Sequence, residues 1–132
     1  MVDLLNAWTI QDSVDTYNIR NWGKGYFSVN EDGNVTVLPN RIPGQEIDLK
    51  KLIDQLILRG IQLPVLVRFT DILKNRVAEL HAAFDTAIRE NNYQGGYSCV
   101  YPIKVNQQRH VVEEIVDFGR PYGFGLEAGS KP

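Results

Sequence analysis

One cysteine, Cys99, stands in 132 residues, so an internal disulfide is excluded and the usage fits a reducing compartment. Histidine is almost as scarce. His81 and His110 have no partner at ligand spacing, so neither makes a metal centre. Lysines and arginines are scattered and the formal net charge is -2, which gives no ground for a nucleic-acid or anionic-membrane partner. Long apolar runs are missing. None approaches the roughly 18 residues of a membrane span, and no basic segment precedes an apolar run at the N-terminus. The composition reads as a soluble, cytoplasmic protein without signal peptide, repeat or low-complexity tract.

What is present is a core-forming chain, 43% hydrophobic with two tryptophans, enough for one modest core. Trp8, Ile10, Val14, Tyr17 and Ile19 suit a short helix with Ser13 near its start, and Trp22-Gly23-Lys24-Gly25 a turn. Tyr26-Phe27-Ser28-Val29 and Val35-Thr36-Val37-Leu38 alternate around Asn30-Glu31-Asp32-Gly33-Asn34, which predicts a hairpin with Phe27, Val29, Val35 and Val37 inward. Residues 48–59 predict a helix capped by Asp48, striped by Leu49, Leu52, Ile53, Leu56 and Ile57, and ended by Gly60.

From residue 64 the pattern repeats strand and helix. Pro64 to Phe69 is a short apolar strand of the kind buried on both faces. Thr70 or Asp71 caps a long helix to about Asn92, striped by Leu73, Val77, Leu80, Phe84 and Ile88 and broken by Gly95-Gly96. Tyr97 to Asn106 reads as a buried strand ending on Lys104. Asn106 caps a third helix with Val111, Val112, Ile115 and Phe118 toward the sheet, and Gly123 to Glu127 is another strand. This order predicts right-handed crossovers and a parallel sheet. It places Lys104 and Glu127 at the C-terminal ends of adjacent strands, where such folds keep their chemistry. Pro102 is awkward inside a strand and predicts a local bulge or irregularity that could re-aim Lys104.

Buried lysine is rare, and desolvation lowers its pKa toward a free amine able to form a Schiff base with a carbonyl. A lysine that snorkels into water at the strand mouth is the plainer reading. With Glu127 beside it, Lys104 suits either an aldehyde cofactor tuned by an acid or a simple ion pair closing the strand ends. Gly123, Gly125 and Gly129, followed by Ser130, suit close backbone approach to a ligand or ordinary turns. Gly123-Phe124-Gly125 is no dinucleotide fingerprint, since the third glycine and helix are missing. Cys99 reads as a small core residue and Tyr101 as packing.

Val100-Tyr101-Pro102-Ile103-Lys104-Val105-Asn106-Gln107 resembles the lysine motif of the biosynthetic arginine decarboxylases, pyridoxal-phosphate enzymes with an alanine-racemase-like barrel. Tyr17 to Phe27, with Trp22-Gly23-Lys24-Gly25-Tyr26-Phe27, resembles the start of that family. Leu63 to Asp71 resembles its opening barrel strand, and Gly125-Leu126-Glu127-Ala128-Gly129-Ser130-Lys131-Pro132 its next strand end. The likeness covers nearly all of the chain after residue 16. It implies that Lys104 forms the Schiff base with pyridoxal phosphate and that Glu127 lies beside the cofactor. It further implies conversion of L-arginine to agmatine and carbon dioxide, feeding putrescine and spermidine synthesis. A magnesium requirement, with a site these residues do not place, and a homo-oligomeric full-length enzyme are implied as well. The lysine strand is also similar to those of ornithine and diaminopimelate decarboxylases; the Tyr17–Phe27 segment favours arginine.

A barrel of this type takes about 250 residues. The expected fold is therefore α/β: the opening strands and helices of a (β/α)8 barrel, truncated over 48–132, after an N-terminal hairpin and helical segment over 1–47. Two functional readings stay open. The chain is the lysine-bearing part of a decarboxylase, inactive alone, or it is a non-catalytic remnant or module associating with a full-length homologue. Open sheet edges are expected to invite pairing with another chain.

Overall fold

The structure is a computed structural model and describes residues 7–129. Ser130, Lys131 and Pro132, which close the last motif, lie outside the described residues. Two compact units divide between Arg68 and Phe69. The helix after Asp48 counts with the first unit, whereas the sequence reading groups it with the second.

In the first unit, α1 spans Ile10–Thr16 and α2 Ile19–Gly23. The cap of α1 is Thr9, whose hydroxyl accepts from the Asp12 N–H while Asp12 accepts from the Thr9 N–H, a reciprocal box. Ser13 does not start the helix; it accepts from the Trp8 indole at 2.7 Å. β1 (Phe27–Val29) and β2 (Val35–Val37) pair antiparallel as expected, with Phe27 opposite Val37 and Val29 opposite Val35. The turn closes through Asn30, whose N–H donates to the Asn34 carbonyl and whose side chain accepts from the Asn34 N–H. A third strand, β3 (Ile47–Asp48), adds to β2. Two residues leave no alternation to read, so the sequence pattern passes over it. With β2 central, Val37 on one face and Thr36 on the other are both buried.

α3 (Leu49–Leu58) then starts on Asp48 as predicted. The Asp48 carboxylate accepts from the Lys51 N–H at 3.0 Å and from the Asn30 and Asn34 amides at 2.9 and 3.0 Å. Gly60, at φ +84, ends the helix. The Ile61 N–H returns to the Leu56 carbonyl and the Gly60 N–H to Ile57, a Schellman closure. The bonds to Asp48, the Lys51 N–H foremost, lower its pKa from 3.8 to about 2. A lowered carboxyl pKa adds stability above the unfolded value, and that stability is lost as pH falls through the folded value. The hairpin unit is therefore expected to weaken between pH 3.8 and about 2 in an acid titration followed by circular dichroism. Asp48→Asn should be less stable at neutral pH and flatter across that window. Asp12, lowered by Thr9, remains in the variant and serves as the internal comparison. An acid limb unchanged by the substitution would show that Asp48 does not set it.

Residues 65–69 do not form the predicted buried strand. They pair with no other strand among the described residues, and Leu66 is 73% exposed. A strand needs a neighbour to satisfy its backbone, and an apolar run alone does not supply one.

In the second unit, α4 spans Thr70–Glu90, with Phe69 at the cap position in place of Thr70 or Asp71. The helix stops at Asn92, in left-handed conformation at φ 50, with the Tyr93 N–H bonded to the Ile88 carbonyl; Gly95-Gly96 come after this closure. Val77 is the buried residue of the expected stripe, while Leu80 and Phe84 stay exposed. β4 covers Val100–Pro102 and β5 Gly125–Glu127, and they pair in parallel through α5 (Arg109–Gly119). Val111 and Ile115 bury one face of α5 as predicted. Asn106 is not the helix cap. Its side chain accepts from the Gln108 N–H, one turn ahead of a helix that starts after Gln108.

Candidate functional site

β4 is much shorter than the strand predicted over Tyr97 to Asn106. Pro102 ends it, because proline has no N–H to continue the ladder. There is no bulge. The chain turns into a 3-10 segment, Ile103–Val105, and this turn re-aims Lys104. Lys104 is exposed, as in the plainer reading of a lysine that reaches water at the strand mouth, and not desolvated. The burial reading assumed a strand covered on both faces, and the covering elements are not among the described residues.

The expected juxtaposition does form. Val100 pairs with Gly125, Tyr101 with Leu126 and Pro102 with Glu127. Glu127 thus ends β5 beside the last ladder residue of β4, and Lys104 lies two positions further on. No ion pair joins Lys104 to Glu127 among the described residues, so the plain ion-pair reading is not the one realised.

The two faces of this strand pair differ. Tyr97 stacks on Phe84 of α4 at 3.8 Å between ring centroids, and Leu126 shares a cleft with Val112 and Val116 of α5. Period-two alternation places Val100, Pro102, Gly125 and Glu127 on the face opposite Tyr101 and Leu126. On that face Val100 is 53% exposed, and Pro102, Gly125 and Glu127 are half-buried. Gly125 keeps it low: a Cβ there would sit 3.4 Å from a Val100 methyl. Gly129, at φ +73, holds the chain past β5 so that a Cβ would lie 3.1 Å from the Glu127 Oε1. Ser98 donates to the Gly123 carbonyl and the Gly125 N–H to the Cys99 carbonyl, which extends the pairing backward.

Tyr101 does more than pack. Its hydroxyl donates to the Asn106 carbonyl at 3.3 Å and so clasps the turn that carries Lys104. The spacing of five residues across the lysine is the only sequence signal for this contact, and it has meaning only once the turn is known. Cys99 is half-buried, in keeping with a small packing residue. A hydrogen bond with its side chain, then burial, pushes the Tyr97 phenol above the usual tyrosine range. His81 stacks on Tyr122 at 4.6 Å. Among the described residues, no group of three or more His, Cys, Asp or Glu is placed to hold a metal ion. No described helix is long and apolar enough to cross a membrane.

No family model matches the chain. Curated relatives do. The biosynthetic arginine decarboxylase of Gloeobacter violaceus is 55% identical over 128 residues, covering 97% of this chain and 20% of that protein. That of Rhodopirellula baltica is 54% identical over 127 residues, covering 96% and 19%. Arginine decarboxylase 1 of Oryza sativa subsp. japonica is 52% identical over 135 residues, covering 96% and 19%. The crystal structure of the biosynthetic arginine decarboxylase of Campylobacter jejuni superposes with a TM-score of 0.78 at 32% identity, over 87% of this chain and 19% of that one. The chain spans about a fifth of the length of the curated relatives it matches.

Proposed function

We propose that the chain is the N-terminal, lysine-bearing part of a biosynthetic arginine decarboxylase, and that β4 and β5 are opening strands of its (β/α)8 barrel. The observation that supports this reading most is the meeting of a lysine motif with a parallel strand end. Lys104 follows the last residue of β4, and that residue pairs with Glu127. Parallel barrels gather their reactive groups at this end of the strands.

Pyridoxal phosphate fits one edge of such a site. An exposed primary amine and a half-buried carboxylate occupy adjacent strand ends, beside Gly125, where a Cβ would meet a Val100 methyl. When bound, the cofactor supplies an electron sink for the carbanion left as carbon dioxide departs from L-arginine. Lys104 would anchor it through Nζ and, once displaced by the substrate amine, hold a proton at that atom. Glu127 would place negative charge and hydrogen-bond acceptors beside the ring. The Tyr101 clasp orients the lysine turn. Magnesium, also implied by the resemblance, has no set of ligands to name among the described residues. Agmatine would leave toward putrescine and spermidine synthesis, in a cytoplasmic homo-oligomer. The non-catalytic reading has no observation of its own in its favour.

The test on the 132-residue chain is titration with pyridoxal phosphate, borohydride reduction and peptide mapping. A single reduced adduct at Lys104, lost in Lys104→Ala, is the expected result. Labelling spread evenly over the surface lysines would remove the support for a cofactor position at this strand end. The chain alone is expected to release no agmatine from arginine, since Lys104 and Glu127 are the reactive groups its described residues bring to the ends of β4 and β5.

A further inference from the structure

Nothing in its surroundings singles Lys104 out as an amine. It is exposed, and no ion pair reaches it among the described residues. Lys24 is its equal on both counts, exposed and without an ion pair among the described residues. Lys50 and Lys51 differ, held by Asp54 at 2.6 Å and by Asp32 at 3.2 Å. Burial and charge therefore do not separate Lys104 from an ordinary surface lysine. For Lys104 to take an aldehyde that Lys24 does not, the difference must lie in placement.

Placement is where the two lysines part. Lys24 caps the C-terminal end of α2 in left-handed conformation, at φ 49. Lys104 is the middle residue of the 3-10 turn Ile103–Val105, and an anchored residue stands on either side of that turn. Before it, Tyr101 is half-buried in the β4 ladder, opposite Leu126. After it, Asn106 is extended at φ -150, and its side chain accepts from the Gln108 N–H at 3.0 Å, just ahead of α5. The Tyr101 hydroxyl joins the two by donating to the Asn106 carbonyl at 3.3 Å. The turn is thus closed across its base, and a swing of the Lys104 backbone away from the strand end would have to open that bond.

We propose that Tyr101 is a positioning residue for Lys104: its hydroxyl, through the Asn106 carbonyl, selects Lys104 over the other exposed lysines for an aldehyde ligand. The inference rests on the reading of Lys104 as the cofactor lysine and adds what makes it the reactive one. The step served is a condensation. The ammonium gives up a proton to solvent, Nζ bonds to the aldehyde carbon, and the carbonyl oxygen leaves as water. Tyr101 acts on the backbone that carries the amine and takes no part in the covalent change.

The test compares the 132-residue chain with its Tyr101→Phe variant, which keeps the ring and loses the hydroxyl. Without any ligand, NMR relaxation should show the amides of Lys104, Val105 and Asn106 falling from the rigid range, an order parameter of about 0.85, toward about 0.6. The amides of Val111 and Ile115, on the buried face of α5, should stay as in the parent and so report that the unit remains folded. With pyridoxal phosphate and borohydride, the ratio of label at Lys104 to label at Lys24 should drop about fivefold, the worth of one neutral hydrogen bond. A merely structural role would loosen α5 together with the turn and leave that ratio where it was. Parental order parameters at Lys104 in the variant, or an unchanged ratio where the parent prefers Lys104, would overturn the proposal while the cofactor reading stands. A parent that labels Lys104 no more than Lys24 would bring down the cofactor reading, and selection by Tyr101 with it.

Discussion

Lys104→Ala is expected to abolish arginine decarboxylation in a chimaera in which this chain replaces the matching fifth of the Gloeobacter violaceus relative, while the unaltered chimaera turns over. The loss should be about a thousandfold or more, the scale on which removal of a covalent nucleophile is felt. Charge is not the reason. Lys104 makes no ion pair with Glu127 among the described residues, so a cation at this position neutralises nothing that the structure shows. Lys104→Arg separates the two explanations. It keeps the charge and removes the nucleophilic amine, and it should fail as completely as alanine. Agmatine release measures the rate, and absorbance of the bound cofactor reports whether it is still held. A Lys104→Arg chimaera with near-parental turnover would end the assignment.

Gly119→Ala carries the largest expected effect on stability. The reason is space, since Gly119 has φ -83, which any residue adopts. A Cβ at Gly119 would overlap the Phe124 Cβ and fall 2.7 Å from its Cγ. These atoms stand next to the backbone, and the Phe124 N–H is bonded to the Gly119 carbonyl at 3.1 Å, so a rotamer change does not clear the clash. Overpacking of this kind costs about 1–3 kcal/mol. Relief would require a shift of the segment leading into β5, which carries Glu127. Gly123→Ala is the contrast. Gly123 has φ +69 and nothing within 4 Å of a Cβ, so its cost is conformational alone, on the order of 1 kcal/mol. Urea denaturation of both variants should rank Gly119→Ala as the more damaging. Equal stability of Gly119→Ala and the parent would mean that the close approach to Phe124 is not a constraint.

The parts legible in the sequence were those fixed by neighbours in the chain. The hairpin register follows from alternation on both sides of Asn30 to Asn34. The start of α3 follows from Asp48 and its stop from Gly60, because caps act within a single turn. What the sequence hid depended on partners far along the chain or on none being there. Pro64 to Phe69 has the composition of an inner strand, yet no ladder forms on it. Lys104 was legible in position, and of its two readings the plainer one, an ammonium reaching water at the strand mouth, matches its exposure. Thr36 reads as an alternate, outward strand position. It is buried because β3, too short to announce itself, makes β2 the middle strand.

The bond from the Tyr101 hydroxyl to the Asn106 carbonyl has a consequence for the cost of binding. Both ends of that clasp belong to the six residues around Lys104, so the turn is shaped by its own stretch of chain. Much of the conformational entropy that a flexible lysine loop would surrender on meeting a ligand is already gone. Preorganisation here is local and does not wait for distant parts of the fold. A phenylalanine at position 101 would keep the ring and lose the clasp, leaving the same amine on a looser tether.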